Sequence, residues 1–294
     1  MSSSQQKISI ITPSFNQGEY LESTLQSILD QSYTNLELIV IDGGSTDNSV
    51  DVIRKYEKHI DFWVSESDKG QAHAINKGFA KATGTIANWI NSDDMLEAGA
   101  LQSIDNAWNE FYADSEDRKS FPLICGNARF VYEDDPSKNY SEKLSGITLE
   151  NMVCYWREAC EWEQPAMFFP LEVFKKIGGC DISQNIAMDY DLWCRMLQHT
   201  DAVYTNHPCA IIRRHDDAKT CKWDYKCWLE NRPVSQRYWN LLDKTIDEVN
   251  FKKTLALHCR YWTRKLIQRK DFGAAVQMAW EGLATSPMGF LKIK

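Results

Sequence analysis

Four short runs in the first ninety residues carry β-forming side chains with almost no polar face, and each gives way to helix-forming sequence. They are residues 7–12 (KISIIT), 36–41 (LELIVI), 62–65 (FWVS) and 85–90 (TIANWI). A strand that is apolar on both sides is buried on both faces, the condition of a parallel sheet. The stretches between them read as helices over 20–29, 50–56 and 71–82, the first with Leu21, Leu25, Ile28 and Leu29 on one face. Strand–helix alternation of this kind implies right-handed crossovers and an α/β fold, a mostly parallel sheet flanked by helices.

Each main run stops at a polar cluster. Pro13 ends the first, with Asn16 and Gly18 in the turn beyond it. The second runs into Asp42-Gly43-Gly44-Ser45-Thr46-Asp47, where the glycines permit a tight turn and Ser45 or Thr46 can cap the next helix. The last runs into Asn91-Ser92-Asp93-Asp94. Ligands bind at the carboxyl ends of strands in open α/β sheets. Adjacent carboxylates there repel one another unless a cation is present, and a divalent ion held by oxygen ligands would bring a diphosphate with it. The alternative at this position is an Asp-Asp cap for a helix starting near Leu96. No Gly-x-Gly-x-x-Gly follows the first strand and no Gly-Lys-Ser/Thr loop occurs, so a metal on the Asp cluster is the counter-charge available to a diphosphate.

The second half is less regular. It reads as a helix over 97–112, strands over 123–126 and 128–133, a short helix over 150–156, a strand over 166–169, and a helix over 171–177 stopped by Gly178-Gly179. Residues 187–197 put Met188, Leu192, Trp193, Met196 and Leu197 on one helical face, with Asp189 in the first turn, where the helix dipole favours it. Short strands over 202–205 and 210–213 precede His215, and the chain is helical from about Tyr225, ending in a hairpin of helices 251–268 and 273–283. The expected division is 1–222, with halves 1–95 and 96–222, followed by a helical extension over 223–294.

The chain has 294 residues, 43% of them hydrophobic, enough for a large core. No apolar run reaches the ~18 residues that span a bilayer, and the polar start has no apolar signal core, which predicts a cytoplasmic protein. Nine cysteines, without a Cys-x-x-Cys pair, read as reduced thiols. The net charge of −8 argues against nucleic acid as a partner. That charge is uneven: residues 251–294 hold nine Lys or Arg against two acids, while the remainder holds 24 basic and 39 acidic residues, a net of −15. A basic tail bearing Trp262, Trp280 and Phe290 suggests peripheral contact with an anionic membrane at its inner face, the rival being a partner subunit. Oligomeric state is left open.

Four ordered segments carry a resemblance. Residues 10–16 (IITPSFN), 39–47 (IVIDGGSTD), Asn76-Lys77-Gly78 through Asn91-Ser92-Asp93-Asp94, and 188–193 (MDYDLW) together resemble a family 2 glycosyltransferase of the GT-A type, over about 180 residues. The resemblance implies a Rossmann-like GT-A sheet. It also implies metal-assisted transfer of a hexose-type sugar, with inversion, from a nucleotide-diphosphate sugar, UDP first among carriers, to a hydroxyl of a glycan or lipid-linked acceptor. On that basis Asp93 is the carboxylate that binds Mn2+ or Mg2+, with Asp94 its neighbour and His215 the ligand completing the site. Asn91 stands in place of the motif's first Asp and Gly43 in place of a second Asp after Asp42. Asp42 is expected to bond the base and Pro13 to line its pocket; Thr12, Asn16, Asn76 and Ser92 belong to the matching donor-binding segments. Asp68 and Lys69 precede the helix leading into the fourth strand, where Lys69 can reach a diphosphate or remain a solvated surface cation.

Asp189 matches the catalytic base. Its usual Glu partner is replaced by Met188, whose apolar side chain would raise the carboxylate's pKa by desolvation. Asp191 is the fallback, or else holds Arg195 at helical spacing. Trp156, Trp162 and Gln164 lie in the segment that walls the acceptor side, where aromatic faces suit sugar C–H surfaces, although any one Trp can equally be core. Two other readings compete. A catalytically weakened nucleotide- or glycan-binding scaffold would explain Asn91, Gly43 and Met188. A sugar-nucleotidyltransferase would need a Gly-rich, Arg-bearing loop after the first strand, and Thr12-Pro13-Ser14-Phe15 is not one.

Overall fold

The computed structural model describes residues 5–113, 120–154, 160–184, 186–215, 224–242 and 248–291. Two compact units emerge, one of Met1–Thr148 with Cys160–Asn231, the other of Leu149–Ala159 with Arg232–Lys294. No helix among the described residues is long and apolar enough to cross a membrane.

The first unit contains β1 (Ile8–Ser14), α1 (Gly18–Leu29), β2 (Leu36–Asp42), α2 (Ser49–Tyr56), β3 (Phe62–Ser65), α3 (Gln71–Lys81) and β4 (Ile86–Trp89). These alternate as expected, and β3-β2-β1-β4 pair in parallel. β1 outruns its expected end: Pro13 stands opposite Ile41 and Ser14 opposite Asp42, so the strand carries two residues past Thr12. Every residue of β1 and β4 is buried, which explains why neither run shows a polar face.

Next come β5 (Met95–Leu96), α4 (Ala100–Ala113), β6 (Phe121–Tyr132), β7 (Tyr140–Glu142), β8 (Met167–Pro170), α6 (Leu171–Lys176), α7 (Met188–Met196) and β9 (Thr200–Arg214); α5 (Leu149–Val153) falls between β7 and β8 but belongs to the second unit. The sheet continues β4-β8-β6-β9-β5, with β7 on β6. Two pairs of short strands predicted from sequence are in fact two long ones. β6 absorbs 123–126 and 128–133, and β9 absorbs 202–205 and 210–213. They run in parallel, and the register shifts near Asn127 absorb the polar breaks that looked like turns. Gly126 lets the strands close there, because a Cβ would stand 2.3 Å from Cys209 Sγ. Leu96, expected to open a helix, instead pairs with Ala210, and the helix starts at Ala100.

The second unit holds α5, the later part of α8 (Asp224–Trp239), then α9 (Glu248–Gln268), α10 (Phe272–Thr285) and α11 (Pro287–Leu291). α9 and α10 form the expected hairpin: Lys270 takes a positive φ of 62° at the turn and Asp271 caps α10 by accepting from the Ala274 N–H.

Candidate active site

The carboxyl ends of β1, β2 and β4 bring three loops together. Asn16 adopts φ 51°, a left-handed conformation that Asn tolerates. Its N–H donates to Ser45 Oγ (2.8 Å) and its Oδ1 accepts from the Thr46 N–H (2.8 Å), tying the first loop to the second. Asp42 is fully buried, and its carboxylate accepts from the Gly44 and Ser45 N–H groups and from the Ser45 and Ser65 hydroxyls, at 2.5–3.1 Å. Asp42, expected on the base, is therefore an organiser of its own loop. Helix α2 is not capped by Ser45 or Thr46, whose hydrogen bonds go to these loops; Asp47 Oδ1 accepts from the Ser49 N–H instead.

What faces outward here is Phe15, 61% exposed. Its ring would lie 3.3 Å from a Cβ at Gly43, and Asp68 Oδ2 only 2.8 Å from it. The missing second Asp is thus compensated in space: Asp68 occupies the position that a side chain at 43 would need. Phe15 had no place among the expected site residues, although an aromatic directly after a buried strand was a readable signal.

At the end of β4, Asp93 keeps part of its carboxylate exposed. Its Oδ2 accepts from Gln17 Nε2 (3.2 Å) and lies 3.2 Å from His215 Nε2, just beyond β9. The His215 ring packs 4.6 Å from that of Tyr20, and its Nδ1 is buried with no hydrogen-bond partner among the described residues. With the imidazole neutral and its proton on Nδ1, two lone pairs would face each other across 3.2 Å, so a proton on Nε2 or a cation must sit between them. The Asp93 carboxylate is a donor suited to Mg2+ or Mn2+, and the His215 imidazole beside it is a second group that could hold a divalent cation. Among the described residues no cluster of three His, Cys, Asp or Glu forms a metal cage. The donor set therefore fits an ion completed by substrate oxygens and water.

Asp94 points inward. It is buried and accepts from Asn91 Nδ2 (3.1 Å), and burial, reinforced by the Asp93 charge, drives its pKa well above the ordinary carboxylate range. Of the two adjacent carboxylates expected at a metal, Asp93 is therefore the more exposed and Asp94 the buried one. Asn91 Oδ1 accepts from Gln71 Nε2 (2.7 Å), and the Ser92 hydroxyl donates to Gln17 Oε1, so the amide and hydroxyl buttress the loop that presents Asp93.

The other side of the site is α7. Asp189 is half-exposed at its first turn, beside buried Met188, and its Oδ1 accepts from the Tyr190 N–H (2.7 Å). Glu163 lies near it. Its neighbours in sequence are pinned to two elements. The Trp162 ring stacks 6.1 Å from Tyr190, and Gln164 Nε2 donates to Asn88 Oδ1 (3.1 Å) and the Trp89 carbonyl (2.7 Å). Glu163 thus bridges the start of α7 and the end of β4. Burial, opposed by Arg214 and reinforced by Asp189, Glu142 and Glu161, lifts its pKa to about 8, and Glu163 in turn raises Asp94. Its carboxyl makes no hydrogen bond among the described residues. Nothing in its sequence context marked it. A pocket of about 130 Å³ lies between Lys69–Ala72 at the start of α3 and Ile182–Gln184 before α7.

Several expected contacts are structural instead. Asn76 spends both ends of its amide on the backbone of Cys180, donating to its carbonyl and accepting from its N–H at 2.8 Å each. Thr12 and Pro13 are buried within β1, and Thr12 Oγ1 has no hydrogen-bond partner among the described residues. Asp191 is buried and paired with Arg195 (2.8 Å), which excludes it from acceptor contact and matches the helical-spacing alternative. Gln164 is a buried strut beneath the loop. Trp156 lies outside the described residues. Arg213 is paired with Glu133 (3.1 Å) and stacks over Tyr20.

Known proteins resemble this chain in sequence and in fold. Residues 9–116 match the profile of Glycosyl transferase family 2. An uncharacterized glycosyltransferase of Rickettsia typhi is 29% identical over 219 residues, covering 72% of this chain and 65% of its own length, so the chain spans just under two thirds of that relative. The GalNAc(5)-diNAcBac-PP-undecaprenol beta-1,3-glucosyltransferase of Campylobacter jejuni is 31% identical over 141 residues, 47% of this chain and 43% of the relative. The crystal structure of S. aureus TarS 1-349 in complex with UDP-GlcNAc superposes with a TM-score of 0.62 at 15% identity, covering 85% of this chain and 70% of that one, which is likeness of fold. The fold is of the GT-A type, and over residues 9–116 the chain is similar to glycosyltransferase family 2.

Proposed function

We propose that the protein transfers a hexose-type sugar from a nucleotide-diphosphate sugar, UDP-linked in the first instance, to a hydroxyl of a glycan or lipid-linked acceptor, with inversion. The observation that carries this is a chain of interacting carboxyl groups: Asp93 stands beside His215 at the end of β4 and acts on Asp94, and Glu163 interacts both with Asp94 and with Asp189 at the start of α7. The binding of UDP-GlcNAc by a protein of the same fold supports the donor class, and the relative that acts on an undecaprenol-linked glycan supports the acceptor class. The site would work at the cytoplasmic face of a membrane, where a lipid-linked acceptor presents its sugar.

Phe15 offers the donor base an aromatic face, with Asp68 beside it in the space a side chain at residue 43 would need. Asp93 and His215 would hold Mn2+ or Mg2+, which when bound supplies positive charge to the departing diphosphate. Lys69 and the pocket at the start of α3 receive the sugar side of the donor. Asp189 takes the proton from the acceptor hydroxyl as its oxygen bonds to the anomeric carbon and the bond to the diphosphate breaks. Attack from the face opposite the leaving group inverts the centre. Burial lifts the Glu163 pKa to about 8, with the Asp189 charge among the causes that raise it.

The test is a calorimetric panel of nucleotide sugars with Mn2+ present, followed by an assay for nucleotide diphosphate release. Saturable donor binding and release that depends on an added acceptor are expected. Binding with no release from any donor would favour the weakened scaffold.

A further inference from the structure

Helix α10 has two apolar faces, and only one is covered. Ala274, Ala275, Met278 and Gly282 are buried within the helical unit. Gly282 admits Phe290 and Cys259 so closely that a Cβ would stand 2.3 Å and 2.7 Å from them. On the opposite side Phe272, Val276 and Trp280 recur every four residues and form one stripe, 62%, 71% and 72% exposed. The one charged residue of α10, Glu281, is turned to an ion pair with Arg232. A helix apolar on nearly every side is normally enclosed.

We propose that this stripe is a docking surface for an anionic lipid face. The setting of the stripe selects that occupant. Arg269 and Lys270 are exposed in the turn immediately before Phe272, Arg264 is exposed on α9 one turn before half-exposed Ile267, and Lys265 lies over the Tyr261 and Trp262 rings. Residues 251–294 carry nine cations against two acids while the rest of the chain has a net charge of −15, so an anionic surface attracts this segment and repels the remainder. At 14 residues, α10 is too short to span a bilayer and would lie in the interface, its stripe among the headgroups. Of the aromatics that composition singled out, Trp280 is on the stripe, whereas Trp262 and Phe290 are half-buried in the hairpin.

The proposal is independent of the transfer chemistry, because vesicle binding is read without a donor; its failure would leave the glycosyl-transfer reading intact. The full chain is floated with vesicles of phosphatidylcholine alone and of phosphatidylcholine with a quarter phosphatidylglycerol, at low and high salt. The expected result is flotation with the anionic vesicles only, reversed by high salt. Val276→Ser with Trp280→Ala should weaken partitioning at least ten-fold. Neutralising Arg264, Arg269 and Lys270 to Gln should weaken it about a hundred-fold, at roughly five-fold per charge. Circular dichroism checks that these surface variants keep their helices. Wild-type protein that stays out of both vesicle fractions, or binding indifferent to both sets of variants, would overturn the proposal. So would self-association that disappears in the Val276/Trp280 variant, which would make a second copy the occupant.

Discussion

His215 Nε2 stands 3.2 Å from Asp93 Oδ2, joining the end of β9 to the end of β4 across 122 residues of sequence. The contact brings together an imidazole and a carboxylate that could share a divalent cation. Asp93→Asn and His215→Ala should each lower Mn2+ affinity, measured calorimetrically in the presence of UDP, by about 10- to 100-fold. Unchanged affinity in both variants would mean that the pair is an ordinary hydrogen bond.

Glu163 ties stability to pH. Its folded pKa, about 8, lies above the unfolded value near 4.5. The folded state therefore binds the extra proton between those values, and stability falls as pH rises from 4.5 to 8, then levels off. Glu163→Gln keeps the shape and cannot ionise. Its melting temperature relative to wild type should rise across that window, equivalent to on the order of 1–3 kcal/mol by pH 8. A difference that is flat from pH 5 to 9 would refute the assignment.

Glu37 behaves in the opposite sense. Burial pushes its carboxyl up, but hydrogen bonds from Lys7, Ser9 and Thr83 outweigh burial and hold it at about 2. The stabilisation is complete above the unfolded value of 4.5 and is lost as pH falls through 2. Glu37→Gln should cost on the order of 3 kcal/mol at pH 7, with the difference shrinking below pH 4.5. Urea unfolding at pH 7 and pH 3.5 checks both the size and the sign.

Gly78 fixes how α3 rests on β1: a Cβ there would stand 2.4 Å from Ile11 Cγ2. Gly78→Ala should destabilise by about 1–3 kcal/mol despite the better helix propensity of Ala. A stabilised Gly78→Ala, again by urea unfolding, would show that the helix can shift outward freely.

Gly78 also shows what could be read without coordinates. The parallel half was legible because buried strands and amphipathic helices leave unambiguous periods, and β1 to β4 lie within two residues of where pattern placed them. The later sheet was not, because β6 and β9 pass through an irregular register at Asn127 that imitates a turn. Motif residues proved to be of two kinds that sequence does not distinguish. Asp93 keeps a partly exposed carboxylate beside His215, whereas Asn76 and Gly78 hold α3 against the Cys180 loop and β1. Glu163 was invisible because its environment is built from Arg214, Asp189 and Glu142, all distant in sequence.

In the proposed mechanism Asp189 removes the acceptor proton, and Asp93 with His215 would hold the cation. Asp189→Asn, which keeps size and loses basicity, tests it most directly through paired measurements of donor affinity and acceptor-dependent release of nucleotide diphosphate. Turnover should fall by about 10²–10⁴-fold with donor affinity within two-fold of wild type. Turnover close to wild type would contradict the account.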